Sequence, residues 1–197
     1  QWKRAWYYPK DGEDMHEAVQ RESKAARDSA GILDASTLGK IDIQGTDASE
    51  FLNRVYTNAW SKLGIGECKY GLMLNEDGMV YDDGVTTRLD ENHYIMTTTT
   101  GGAANVLSKL EDYLQTEWPE LDVYLTSVTD HYSTASVCGP NSKKIINKIF
   151  PELDLSDENF PHMSFKNTKL DNVNCRVMRI SFTGELSYEI NIESKYG

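Results

Sequence analysis

Two adjacent carboxylates, Asp82 and Asp83, hold the most chemically suggestive position in the chain. They fall in the stretch from Gly71 to Gly84, which reads as a β-hairpin. Leu72 to Leu74 is an apolar strand, Asn75-Glu-Asp-Gly78 is a turn with glycine where φ is positive, and Met79 to Tyr81 begins the return. Side chains alternate along a strand, so the two carboxylates point to opposite faces. One of them directed inward would cost several kcal/mol unless it met donors. So placed, it could stabilise a developing cation, orient a nucleophile or accept a proton. The plainer alternative puts both at a strand end, one capping a turn and one in water.

A second group of polar side chains follows at Thr97 to Thr100. β-Branched residues propagate a strand, and their hydroxyls can also face a ligand; at least two of the four are expected to pack. Gly101-Gly102 then frees backbone N–H groups ahead of a helix, a weak anion-cradle signal without a wider phosphate-loop pattern.

The elements that must carry these residues follow from periodicity. A helix is expected over 14–30, a short strand at Ile32-Leu33 and a strand at Lys40 to Gln44. Thr46-Asp-Ala-Ser-Glu50 resembles a capping box, with Asp47 as N-cap and Glu50 at N3, opening a helix with Phe51, Leu52, Val55 and Tyr56 on one face. Further strands are expected near 64–74, 85–89, 93–100, 121–128, 133–137, 173–181 and 186–192, with helices over 103–115 and after Ser142. The layout is α+β, a mostly antiparallel sheet with helices packed on it. The acidic run 151–163 is the expected subdomain boundary. Residues 1–10 hold four aromatics and a proline in an extended arm, whose rings are expected to lie half-buried on the body, with a partner contact as the alternative.

Composition narrows the function. The net charge of −11 argues against nucleic acid and against an anionic membrane surface. Cys68, Cys138 and Cys175 form no C-x-x-C and read as reduced thiols of a cytoplasmic protein. His16, His93, His131 and His162 show no ligand spacing with them, so no metal is expected. No run is long enough to span a membrane and no signal region is present. The chain opens on Gln1 and stops at Gly197 just after a strand pattern, and both ends point to a piece of a longer polypeptide.

Three motifs together resemble the folate-binding aminomethyltransferases of glycine cleavage. They are Gly78-Met-Val-Tyr-Asp-Asp83, similar to Gly-x-(Ile/Val)-x-Asp-Asp; Gly139-Pro140 between a strand and a helix; and Ser181-Phe-Thr-Gly-Glu-Leu-Ser-Tyr-Glu-Ile190, similar to Tyr-Thr-Gly-Glu-x-Gly-x-Glu-(Ile/Leu). Within that superfamily, the run 115–129 with the threonine strand resembles the C-terminal folate-binding region of sarcosine oxidase α subunits. The resemblance implies part of a three-lobed fold, incomplete at its C-terminal side, with tetrahydrofolate as cofactor and flavin and NAD held elsewhere in the enzyme. It implies sarcosine demethylation with capture of the methylene unit by folate, and partners among the other subunits. Carried over by position, Asp83 matches the essential carboxylate beside N10 of the folate, which makes it the buried one of the pair with Asp82 facing the other way, and Glu189 matches the carboxylate on the pterin ring. Tyr94 and Thr98 match the strand that lines the folate pocket, and Phe182 stands where the family has a stacking tyrosine. Two other readings are a stand-alone aminomethyltransferase acting on a lipoyl carrier protein, and a non-catalytic folate-binding or assembly module.

Overall fold

A computed structural model describes residues 3–197. Among the described residues, four α-helices are interspersed with ten strands. They form two compact units, one of residues 1–36, 133–162 and 166–197, the other of residues 37–132 and 163–165.

The first unit begins with α1, Met15–Asp28. Its start is fixed by a reciprocal cap: Glu17 N–H donates to the Asp14 carboxylate at 2.9 Å, and Asp14 N–H donates to the Glu17 carboxylate at 3.0 Å. β1, Gly31–Asp34, follows and lies at the edge of a five-stranded sheet ordered β1-β7-β10-β9-β8. Here β7 is Tyr132–Cys138, β8 is Ser164–Leu170, β9 is Val173–Arg179 and β10 is Ser187–Glu193. β8 and β9 are joined through Asp171 and Asn172, both at positive φ, the tight-turn conformation that suits these two residue types. α4, Ser142–Ile149, turns Ile146 inward onto Val137, Val177 and Tyr188. Leu155 and Phe160 join that core. The run 151–163, expected at a boundary, therefore lies inside the first unit up to His162, because two of its apolar residues are core residues.

The second unit carries β2 (Gly39–Gln44), α2 (Ala48–Val55), β3 (Cys68–Leu74), β4 (Val80–Asp90), β5 (His93–Thr98), α3 (Ala103–Asp112) and β6 (Tyr124–Ser127). Its sheet is ordered β3-β4-β5-β2-β6. α2 and α3 cover one face, where Ile41, Ile43, Met73, Tyr94 and Met96 meet Phe51, Leu52, Val106 and Leu110. The expected capping box at α2 is absent. The Asp47 carboxylate instead accepts Asp122 N–H at 2.9 Å, and Glu50 pairs with Arg54, so a long-range tie replaces the local cap. α3 ends in a π-helical turn, Tyr113–Glu117, that brings Trp118 against Phe51.

The β3–β4 hairpin is held at its turn and at a pair of facing glycines. Gly78, at φ 76°, closes the turn by donating to Asn75 O at 2.8 Å. Deeper in, Gly71 pairs with Gly84. Trp60 packs over Gly71, and the Thr97 carbonyl comes so close to Gly84 that no Cβ fits there. Val85 N–H accordingly donates to the Thr97 hydroxyl at 2.9 Å. We expect Gly84→Ala to cost about 2–4 kcal/mol, because backbone has to move to admit the methyl. Gly78→Ala has open space around it and should cost only about 1–2 kcal/mol for the left-handed conformation. Urea denaturation of the two variants measures both.

Candidate functional site

The register of the hairpin separates the two carboxylates. Asp82 lies opposite Met73 and Asp83 opposite Leu72, so Asp82 faces the helix-covered side and Asp83 the other. The sequence reading placed Asp83 inward and left Asp82 to the surface. The structure reverses this: Asp82 is 5% exposed and Asp83 is half-buried on the face that α2 and α3 leave uncovered.

Asp82 meets its donors at the end of β5. Thr99 donates its N–H at 3.1 Å and its hydroxyl at 2.6 Å, and Gly102 N–H donates to the Thr99 hydroxyl oxygen at 3.1 Å. A Cβ on Gly102 would stand 2.6 Å from Asp82 Oδ1, which explains a glycine directly before α3. Of the N–H groups expected of the glycine pair, that of Gly102 is taken by the Thr99 hydroxyl, and the Asp82 carboxylate lies at the end of α3 where negative charge is favoured. Burial raises the Asp82 pKa, the two Thr99 bonds oppose that shift, and the Asp83 charge adds to it.

Asp83 has a different partner. Tyr70 Oη donates to Asp83 Oδ2 at 2.9 Å, and that bond raises the phenol pKa and keeps the proton on Tyr70. Tyr70 is 51% exposed. Val85, opposite Tyr70, and Leu72, opposite Asp83, share the face as half-buried apolar neighbours. Behind the sheet, the phenol of Tyr56 contacts the Met96 sulfur, and its pKa is raised by burial and by the charges of Asp82 and Asp83. The arrangement is an accessible carboxylate, oriented by a phenol, on a two-stranded mount.

The other expected residues separate. Tyr94 and Thr98 are on the strand positions that share the Asp82 face, not the Asp83 face. Tyr94 is wholly buried in the core under α2 and α3, and the Thr98 hydroxyl is spent on Thr99 O at 2.9 Å. Strand alternation therefore places both side chains on the buried side of this unit. Glu189 and Phe182 belong to the first unit. Glu189 lies on β10 opposite Met178, within a buried polar row that includes Ser187 and Asn191. Ser187 bonds Ser136 at 3.2 Å, and Thr134 donates to Asn191 at 2.7 Å. Phe182 is 73% exposed on the loop that Ser181 closes by donating to Glu185 O at 2.6 Å. Tyr70 was not among the expected site residues, although the hairpin pattern holds the signal: residues that pair across a hairpin, and those two positions away, share its face. Among the described residues no group of three or more His, Cys, Asp or Glu is placed to hold a metal ion, and no helix is long and apolar enough to cross a membrane.

Comparison with known proteins gives the frame for these residues. The whole chain, residues 1–197, matches the profile of the GCVT N-terminal domain. The chain belongs to the GCVT N-terminal domain family. What matches is the N-terminal domain of that family. The domain is 58% identical to the sarcosine oxidase subunit alpha of Corynebacterium sp. (strain P-1) over all of this chain and 20% of that subunit. It is 48% identical to the corresponding Rhizobium meliloti subunit, again over 20% of its length. With the aminomethyltransferase of Thermoanaerobacter pseudethanolicus it shares 31% identity over 91% of this chain and 47% of that enzyme. The GCVT domain thus spans a fifth of the α subunits and just under half of that aminomethyltransferase. In fold it resembles the glycine cleavage system aminomethyltransferase T from Bartonella henselae, with a TM-score of 0.78 at 23% identity over 91% of this chain and 46% of that one. It also resembles a chain of the heterotetrameric sarcosine oxidase from Corynebacterium sp. U-96, with a TM-score of 0.60 at 16% identity over 92% and 85%.

The Thr99 hydroxyl offers a test of the Asp82 arrangement. Thr99→Val removes one donor from a buried carboxylate and should cost about 1.5–3 kcal/mol at neutral pH. A raised native pKa means that the folded state holds its proton more tightly than the unfolded state. The carboxylate form therefore weakens the fold in full above the native pKa, and this cost shrinks as pH falls from the native pKa to the lower unfolded one, below which it is gone. The Thr99→Val deficit should shrink on acidification through the same window, as the protonated carboxyl loses its need for the donor. Urea midpoints at several pH values, with the carboxyl carbon followed by NMR, provide the measurement.

Proposed function

We propose that this GCVT domain binds reduced folate and serves the one-carbon transfer step of a sarcosine oxidase α subunit. The observation that carries the reading is the Tyr70–Asp83 pair, presented on the uncovered face of a rigid hairpin. The relatives at 58% and 48% identity support the choice of enzyme. The 31% relative supports the broader alternative, a stand-alone aminomethyltransferase, less strongly. A purely assembling module has no use for an accessible carboxylate oriented by a phenol, and that pair speaks against it.

The residues fit such a ligand. Leu72 and Val85 give apolar contact on either side of the Asp83 position, and Tyr70 adds an aromatic ring that is half in solvent. Folate supplies the nitrogens that capture the one-carbon unit. Two folate nitrogens bond the methylene carbon as its bond to the nitrogen of the sarcosine-derived imine breaks and glycine departs, and the Asp83 carboxylate stabilises the positive charge that develops there and can relay a proton from the folate nitrogen to the departing amine. Tyr70 holds the carboxylate in one orientation, so little reorganisation is needed during transfer. Glu189, by its match to the family, takes the pterin edge, where one carboxylate accepts two parallel N–H donors. Phe182 offers a ring for stacking. Tyr94 and Thr98 serve from behind, fixing the strand next to β4. The flavin and NAD of the reaction, and the other subunits, are assigned to the remainder of the assembly.

In the full-length subunit carrying this domain, Asp83→Asn keeps the shape and removes the charge. It should lower methylenetetrahydrofolate formation by about 10²–10³-fold, the usual loss of one preorganised electrostatic partner. Tyr70→Phe should lower it about tenfold. Sarcosine-dependent peroxide production should hold in both variants, with formaldehyde replacing the folate product. Parallel assays of peroxide, formaldehyde and folate adduct decide the matter; an Asp83→Asn enzyme that still forms the adduct at the wild-type rate removes Asp83 from the chemistry.

A further inference from the structure

Three consecutive residues of β3, Tyr70, Gly71 and Leu72, are each held by one residue of the segment 57–60. β3 is an edge strand, and this segment supplies partners that a further strand would otherwise give its outer backbone. Thr57 N–H donates to Leu72 O at 3.0 Å, and the Asn58 side-chain amide donates to Tyr70 O. Gly71 lies between those two carbonyls. The Trp60 ring presses on it so closely that a Cβ there would stand 2.7 Å from Trp60 Cζ2 and 3.1 Å from Cη2. Tyr56, just before the segment, bridges to Met73 and extends the same grip.

Trp60 is itself fixed from several sides. It is wholly buried in the core that includes Met73. The Asn53 side-chain oxygen, on α2, accepts Trp60 N–H at 2.6 Å and Ser61 N–H at 3.3 Å. The Tyr56 ring meets the indole edge to face, with centroids 6.0 Å apart at 87°. Yet the indole N–H is buried and has no hydrogen-bond partner among the described residues. A buried donor without an acceptor is costly. The indole is therefore present for the space that its six-membered ring fills, not for its polar atom.

That space lies directly behind the candidate site. Gly71 shares its face with Met73, whereas Tyr70 and Leu72 point to the face of Asp83. Glycine constrains its own backbone less than any other residue, so β3 needs a wall at this point to keep its line. The Tyr70–Asp83 bond is 2.9 Å long, and a further separation of about 0.7 Å abolishes it.

We propose that Trp60 and Asn58 are positioning residues for the Tyr70–Asp83 pair. They hold β3 against β4 at Gly71 and so keep the phenol on the carboxylate. The inference deepens the proposed function and rests on its reading of that pair as the reacting groups. Both residues act through Tyr70, so removing either should cost no more than removing the phenol.

Trp60→Phe deletes the ring atoms that press on Gly71. In the full-length subunit it should lower methylenetetrahydrofolate formation by up to about tenfold, the loss expected of Tyr70→Phe. Asn58→Ala leaves the core intact and should lower it about threefold; it carries the same test should Trp60→Phe fail to fold. Neither should lower the rate further in a Tyr70→Phe background. Gly71→Ala alone drives a methyl into the indole, but joined to Trp60→Phe it fills the vacated space and should restore the rate to within about threefold of wild type. A readout independent of turnover is the Tyr70 phenol, followed by the NMR resonance of its Cζ and assigned by its loss in Tyr70→Phe. The Asp83 bond raises the phenol pKa. In Trp60→Phe and Asn58→Ala it should fall back toward the ordinary phenol value, and Gly71→Ala with Trp60→Phe should raise it again. An unchanged Tyr70 titration in both single variants overturns the proposal. So does a loss of folate adduct that adds in full to that of Tyr70→Phe. If the titration shifts while adduct formation holds even in Asp83→Asn, the positioning stands and the proposed chemistry falls.

Discussion

A carboxylate removed from water must find hydrogen-bond donors, and Asp82 organises the second unit around that requirement. Two of its donors are on Thr99, so the end of β5 is drawn to the start of β4. Thr99 in turn receives Gly102 N–H, which fixes where α3 begins. Strand, turn and helix are joined at one charge. With Asp82 held inward, alternation leaves its neighbour Asp83 no choice but the opposite face. The structural carboxylate and the candidate chemical one are therefore two outcomes of a single anchoring event.

The same division runs through the threonines. Thr97 replaces a ladder bond where β4 and β5 part around Gly84. Thr98 closes onto the backbone, and Thr99 serves Asp82. Thr37 and Thr100 bond each other at 3.0 Å. The hydroxyls that a sequence reader would offer to a ligand are consumed in holding the strand ends. Specific chemistry on this unit is left to Tyr70 and Asp83, where a donor and an acceptor meet on an uncovered surface.

Much of this was legible beforehand, for identifiable reasons. The hairpin was visible because Asn75 to Gly78 combines turn residues with a glycine at positive φ between two apolar runs. The opposite orientation of Asp82 and Asp83 was visible from alternation alone. Which of them faced inward was not, because that depends on where α3 packs, a long-range fact. β8 went unseen because Ser164 to Leu170 lacks an apolar alternation, and its pairing rests on a turn at Asp171-Asn172 and on backbone bonds. The cap expected at Asp47 failed because Asp122, remote in sequence, supplied a better partner. Trp2 lies outside the described residues. Of the arm's described rings, Tyr7 is half-buried as expected, while Trp6 and Tyr8 are exposed because the arm is held through its backbone by Arg21 and Glu22.

The discontinuity of the first unit bears on how the polypeptide is made. β1 pairs with β7, Gly31 lying opposite Cys138. A ribosome adding about 5–20 residues per second therefore exposes Ile32 and Leu33 for on the order of 5–20 s before their partner strand exists. During that interval the second unit, complete to Tyr132 except for residues 163–165, is free to fold. The nascent chain would thus acquire a finished inner unit flanked by an unpaired leading segment. That waiting segment, short and ending in Asp34, is where a chaperone or a premature strand partner would compete with β7.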